Sequence, residues 1–279
     1  MVDVSSRVSF IGKARNSDGG WGYFIGKESR VEPTVYALRA LGLDDAGLRF
    51  LAQCQEADGG LRPGIRIPGS TWVTALAIPM FARAKRVTEL RKAAAWLVNT
   101  TGADNNWLQR ALHFMGKAAV DQNPKLKGWP WRPGNHSWVE PTSHALQALQ
   151  SMQGLVDAES LRFRQEQGVA LLRDRRCLDL GWNYGNKRVL DEVLPSYPET
   201  TGIALVGLSA AGKATGDELR AAARMFSDAK GAYAKAWLSL GLRLNGVAAH
   251  YEPPQKLHAS GNVALTALEV LAANPEVAW

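Results

Sequence analysis

The sequence predicts an all-α chain that closes a double ring of alternating inner and outer helices around a central cavity. Three observations predict it. A Gly-Trp loop followed by an acid- and threonine-bearing helix start recurs along the chain. The stretches after each start carry apolar residues at helical spacing, and strand-like alternation is scarce. The ends show no obviously polar capping repeat of the kind an open solenoid needs.

The repeat can be read from the N-terminus onward. The first unit is Asp18-Gly-Gly-Trp21-Gly-Tyr23, then Glu32-Pro33-Thr34-Val-Tyr36-Ala-Leu38. The second is degenerate: Asp58-Gly-Gly-Leu61, then Trp72-Val-Thr74. Leu61 lies thirteen residues before Thr74, as Trp21 does before Thr34, so Leu61 occupies the tryptophan position. A further unit is Gly128-Trp129-Pro-Trp131, then Glu140-Pro141-Thr142-Ser-His144-Ala-Leu146. The last is Asp179-Leu-Gly181-Trp182-Asn-Tyr184, then Glu199-Thr200-Thr201, and its loop is six residues longer. Gly-Gly permits a turn with positive φ. The Trp packs a large apolar face and needs one partner for its N–H. Glu at a helix start suits the dipole, Pro33 and Pro141 suit a first helical position, and the threonines suit local capping.

Helical periodicity follows each start through Val35, Leu38 and Leu41, through Leu146, Leu149 and Met152, and through Ile203, Val206 and Ala210. Other helical stretches are 48–55, 88–98, 107–120, 161–172, 218–226, 233–244 and 263–271, punctuated by Gly, Pro and Asn. The count is eleven or twelve helices in one domain spanning 1–279.

The bulk numbers fit a globular chain with a large core: 46% hydrophobic and 21% charged residues. The net charge of +7 invites an anionic partner. The densest basic clusters, Arg83-Ala-Lys85-Arg86 and Arg173-Asp-Arg175-Arg176, are read as solvated helix C-termini, with an anion-binding face as the alternative. No basic run is interleaved with aromatics, so nucleic-acid binding is not expected. Cys54 and Cys177 have no paired spacing, which argues against a zinc cage or disulfide framework and fits a reduced, cytoplasmic setting. The N-terminus has no signal-like apolar core, and no transmembrane segment is expected.

At these loops the chain resembles the prenyltransferase and squalene-oxidase repeat. That repeat builds the α/α toroid of squalene–hopene cyclases and protein-prenyltransferase β subunits, and carries Gln-x-x-Asp-Gly-Gly-Trp. Gln55-Glu-Ala-Asp58-Gly-Gly matches with Leu61 for Trp, and Arg15-Asn-Ser-Asp18-Gly-Gly-Trp21 matches with Arg for Gln. The other units put Asn123 or Arg176 at the Gln position. The resemblance runs from about Asp18 to about Leu271. It implies an α/α toroid and a hydrophobic or isoprenoid ligand in its cavity. The departures are equally clear. The cyclases' Asp-x-Asp-Asp acid motif is absent, and Asp44-Asp45, the only Asp pair, reads as a helix cap. Glu199-Thr200-Thr201 stands where a prenyltransferase would place zinc ligands, so neither metal nor other cofactor is expected. The chain is also short for a two-domain cyclase.

By the same analogy the inner-helix N-termini ring one mouth of the cavity. Candidate catalytic residues there are Glu140, Glu199 and His144, and candidate ligand-binding residues are Glu32, Tyr36, Trp72, His113, Trp131, Tyr184 and His258. A carboxyl among aromatics can hold and donate a proton. Against this, the glutamates recur with the scaffold, which favours a structural role. Unit-specific residues then become more interesting. These are His144, whose counterparts are read as Tyr36, Ile78 and Ile203, and the segment from Asp104 to His113. Trp21, Trp129, Trp131 and Trp182 suit packing, with stacking on a sugar or a prenyl cation as the alternative. Three functions compete: an enzyme on an isoprenoid-like substrate, a non-catalytic toroid holding a lipid, peptide or protein partner, and a carbohydrate-active enzyme using paired carboxylates.

Overall fold

The computed structural model describes residues 4–104, 115, 121–257 and 260–274. Eleven helices lie among them: α1 (Ser5–Lys13), α2 (Val31–Leu41), α3 (Asp45–Gln53), α4 (Val73–Arg83), α5 (Val87–Asn99), α6 (Val139–Gln150), α7 (Ala158–Asp174), α8 (Pro198–Ala211), α9 (Gly216–Asp228), α10 (Ala232–Leu244) and α11 (Val263–Ala273). The predicted helix at 107–120 falls outside the described residues. The six extra loop residues of the last unit accompany a short antiparallel hairpin, β1 (Arg188–Val189) with β2 (Glu192–Val193). Predicted helix starts at 161 and 218 come late. Asp157 caps α7 through the Ser160 amide, and a Thr215/Glu218 capping box opens α9.

Six helices form the inner ring. Each packs on the next in the order α2, α4, α6, α8, α10, α11, and α11 packs back on α2. Burial separates the two layers. Helix α11 buries nine of its eleven residues, whereas α7 buries four of its seventeen along one stripe. Helices α1, α3, α5, α7 and α9 lie outside. The approach of α8 to α10 is close because Gly202 and Gly241 face the partner backbone. A Cβ on Gly202 would sit 2.4 Å from the Trp237 carbonyl carbon.

The repeated loop is a joint between an outer helix and the following inner one. Indole Nε1 of Trp21 donates to the Ile11 carbonyl at 2.7 Å, that of Trp129 to Leu97 at 2.9 Å, and that of Trp182 to Leu172 at 2.6 Å. Each acceptor is the third residue from the end of its outer helix, where carbonyls lack an intrahelical partner. The same tryptophans give their backbone amides to Thr34, Thr142 and Thr201 at 2.9, 3.1 and 2.9 Å, and Leu61 gives its own to Thr74 at 2.7 Å. The threonines therefore tie loop to helix instead of capping locally. Asp18, Asp58 and Asp179 close the turn by accepting from the amide two residues on and from a loop serine. The glycine after each of the first two aspartates has φ 88° and 94°, and a Cβ there would strike Ala46 or Lys92 backbone. Pro33 and Pro141 occupy the third helical position, not the first, which is still within the turn of unbonded amides.

A second set of bonds runs around the ring. The residue two after each Trp position offers its carbonyl to the preceding inner helix start: Pro63 to Val31 at 2.9 Å, Trp131 to Trp72 at 3.1 Å, Tyr184 to Val139 at 3.1 Å and Tyr23 to Val263 at 2.8 Å. The last of these joins the final helix to the first loop. Across the same seam Arg7 of α1 pairs with Glu269 of α11, both buried.

Candidate active site

The threonine joints fix how each inner helix is rotated. Each glutamate lies two residues before its threonine, about 200° around the helix. With threonine turned outward to the loop, glutamate turns toward the ring axis. The residue four after each glutamate shares that face. This register places Leu76 opposite His144 in the second unit, where periodicity alone suggests Ile78, and Trp72 at the glutamate position.

Tyr23 donates to Glu32, and the Tyr36 hydroxyl supports the same carboxylate. Burial pushes the Glu32 carboxyl above its usual range, against the pull of these two hydroxyls. Burial also pushes Glu140 up to about 8, with the negative charges of Glu32 and Glu199 adding to it. Glu140 thus lies within reach of the charges of both Glu32 and Glu199. His144 is buried with its Nε2 3.9 Å from Glu140 Oε1, and that nitrogen has no hydrogen bond among the described residues. Burial, then the positive charge of Arg39, lowers its imidazole to about 3, so it is neutral at physiological pH.

Aromatic rings wall this acid group. Trp131 meets Trp72 edge-on at 4.9 Å, Trp72 lies 5.4 Å from the His144 ring, and Trp237 lies 5.8 Å from His144 and 6.1 Å from Tyr36. Tyr233 stands edge-on to Trp237 at 6.4 Å. Of the residues singled out from the sequence, the structure brings together Glu32, Tyr36, Trp72, Trp131, Glu140 and His144. Glu199 joins through its charge on Glu140. Tyr184 stands apart: it is half exposed and packs on Tyr197 at 5.3 Å. His113 and His258 lie outside the described residues. Among the described residues no group of three or more His, Cys, Asp or Glu is disposed to hold a metal ion.

Asp104 opens the unit-specific segment, and the residues it would wall or cap lie outside those described. It is buried, accepts from the Ser137 amide and hydroxyl, and lies 3.6 Å from Arg175. It supplies the serine clamp that its unit lacks in sequence, because no Asp precedes Gly128-Trp129 at the usual spacing. Trp21, Trp129 and Trp182 are buried in their joints and present no stacking face to the mouth. Sequence reasoning missed Tyr233 and Trp237. They stand on α10, which no Gly-Trp loop precedes, and only their four-residue spacing marks a shared face.

These charge states have a consequence for stability. Glu140 binds its proton more tightly folded than unfolded, so its contribution is full below about pH 4.5 and is lost as pH rises through about 8. Glu140→Gln keeps the shape and removes the ionisation. It is expected to melt with wild type at pH 5 and to exceed it at pH 9 by about 2–3 kcal/mol, discounted because the side chain is 15% exposed. Melting curves at the two pH values measure this, and equal differences at both would contradict it.

No protein-family model matches the sequence, and comparison with curated proteins finds no match. Solved structures do match. The type II terpene cyclase MstE from Scytonema superposes with TM-score 0.55 at 16% identity, over 88% of this chain and 72% of that one. A variant of the same cyclase in complex with its substrate, geranylgeranyl dihydroxybenzoate, matches over 95% and 76% at the same score and identity. The endoglucanase Cel10, a family 8 glycosyl hydrolase from Klebsiella pneumoniae, matches with TM-score 0.61 at 14% identity, over 96% of this chain and 98% of that one. The chain has the α/α toroid fold that these enzymes share. No helix among the described residues is long and apolar enough to cross a membrane.

Proposed function

We propose that the whole chain acts as one toroid whose mouth binds an isoprenoid or other hydrophobic ligand, and that Glu140 protonates it. The observation that carries this reading is a buried carboxyl raised to about 8, 3.9 Å from His144, whose ring sits in a cluster with Trp72, Trp131 and Trp237. Burial, helped by the charges of Glu32 and Glu199, favours the protonated form of Glu140. His144, neutral and 3.9 Å from Glu140, lines the acid without adding a charge. Trp72, only partly buried, offers a π-face to positive charge developing on the ligand, and buried Trp237 backs the His144 ring. This acid would stand in for the missing Asp-x-Asp-Asp motif from a different element. The reading invokes no cofactor, and it retains the cytoplasmic setting expected from the cysteines.

The test is incubation with geranylgeranyl-bearing compounds, including the geranylgeranyl dihydroxybenzoate that MstE binds, with products and retained ligand followed by mass spectrometry. Wild type is expected to convert or hold one of them. Glu140→Gln is expected to lose about 10²–10⁴-fold in any turnover while still binding. Retention without product in wild type would move the reading to a non-catalytic lipid, peptide or protein carrier. Neither retention nor product would overturn it.

A second reading has its own support. Cel10 matches along nearly its whole length, and three carboxylates converge at one mouth here. A glycosidase needs two carboxyl groups about 5–10 Å apart across the scissile bond. Reducing-sugar release from a soluble β-glucan, lost in Glu140→Gln, would select this reading over the first.

A further inference from the structure

The two basic clusters and the lengthened loop play no part in the reading above. One cluster and that loop come together on the outer rim. The C-terminus of α7, the turn after it and the β1–β2 hairpin enclose a cavity of about 290 Å³. Arg173 and Arg176 of the helix end and Lys187 and Arg188 of the hairpin line it, and among the described residues Asp121 is the only carboxylate in the lining. Some of this charge is answered. Lys187 lies 3.3 Å from Asp121, and Arg176 reaches buried Glu218 at 2.8 Å. Arg173 gives one N–H to the Lys213 carbonyl, an uncharged partner, and Arg188 is exposed. Two cations, Arg173 and Arg188, remain in excess among the described lining residues.

The other surface cavity, of about 380 Å³, makes a useful contrast. It also holds arginines, Arg30 and Arg66, but Glu28 bridges both at 3.1 and 2.9 Å. Nothing there calls for an anion.

The backbone at the rim cavity is also unusual. Four non-glycine residues among those described have positive φ, and three of them, Leu180, Leu190 and Asp191, belong to this loop. Leu190 and Asp191 form the hairpin tip. Leu180 takes the place that Gly19 and Gly59 hold in the other units, at φ 69°. The cavity thus keeps a leucine wall where the repeat uses glycine. Cys177, also in the lining, is buried, and burial raises its thiol, so thiolate chemistry is not the role of this pocket.

We infer that this rim cavity is a binding site for a phosphate group, either free as phosphate or diphosphate or carried as the headgroup of a phospholipid. Arginine N–H groups and a lysine ammonium converging from two sides match the oxygens of a multiply charged anion. The inserted hairpin exists to bring the second pair of cations into place. This inference is independent of the acid mouth, and its test does not involve that site.

Titration calorimetry with inorganic phosphate and pyrophosphate, and sedimentation with phosphatidylcholine vesicles with and without phosphatidate, test it. The proteins are wild type, the double variant Lys187→Ala/Arg188→Ala and, as control, Lys27→Ala/Arg66→Ala at the other cavity. Circular dichroism checks folding, and both changed pairs are near the surface. Pyrophosphate or phosphatidate vesicles are expected to bind wild type, roughly ten-fold more weakly to the hairpin variant, and unchanged to the control. Binding of pyrophosphate alone assigns a free phosphate, and binding of vesicles alone assigns a lipid headgroup. Absence of binding to wild type, or equal weakening in the control, overturns the site.

Discussion

Glu269→Leu is expected to destabilise the protein by about 3–5 kcal/mol, the usual effect of removing one member of a buried ion pair. Glu269 accepts from Arg7 Nε at 3.0 Å and from the Tyr251 hydroxyl at 2.9 Å, and both charged side chains are essentially excluded from water. Arg7 also holds the Pro254 carbonyl. Deleting the carboxylate leaves a guanidinium buried without its counter-charge, together with a phenol that has lost its acceptor. For a chain of this size the drop in melting temperature should be roughly 10 °C. The double variant Arg7→Leu/Glu269→Leu should recover most of the loss, since two apolar side chains leave no buried charge. A single-variant loss below about 1 kcal/mol would show that the pair is not acting as the structure implies.

Trp129→Ala is expected to have an effect of similar size, about 3–5 kcal/mol. Three interactions vanish together. The indole is 2% exposed and leaves a large void. Its N–H leaves the Leu97 carbonyl at the end of α5. The Arg164 guanidinium, 3.8 Å above the ring, loses its cation–π face. Trp129→Leu should cost distinctly less, because Leu61 fills the same position in another unit and still makes the threonine bond through its backbone. Urea unfolding of the two variants gives the comparison. Indistinguishable losses would mean that the cap and the cation–π contact, not volume, dominate the joint.

The ring was legible in the sequence because its causes are local. Matched offsets of Trp, Glu and Thr record one bonding pattern copied along the chain, and the helices between them follow ordinary periodicity. The site was only half legible. Recurrence suggests that Glu32, Glu140 and Glu199 belong to the scaffold, an inference that suits a linear array, where equivalent side chains are spread along an axis. In a ring, equivalent inward residues aim at one centre, so repetition gathers carboxylates instead of dispersing them. Burial at that centre raises Glu140, the neighbouring charges add to it, and both are invisible to an offset count. Trp237 escaped for the opposite reason, since α10 carries no copy of the loop. The burial of His144, and the nearby charge of Arg39 that lowers it further, depend on packing that no motif encodes. Asp104 shows a third case: a clamp supplied from thirty-three residues before its serine has no local signature.

The bond from Val263 to Tyr23 makes the chain's beginning and its end neighbours in the same circuit. A stack of repeats with two free ends can fray from either, shedding units one at a time. Here every inner helix has a neighbour on both flanks, so no unit is terminal and none can leave without breaking two interfaces. The polypeptide has ends, but its cooperative structure does not. Folding is therefore complete only when the seam shuts and α11 packs on α2.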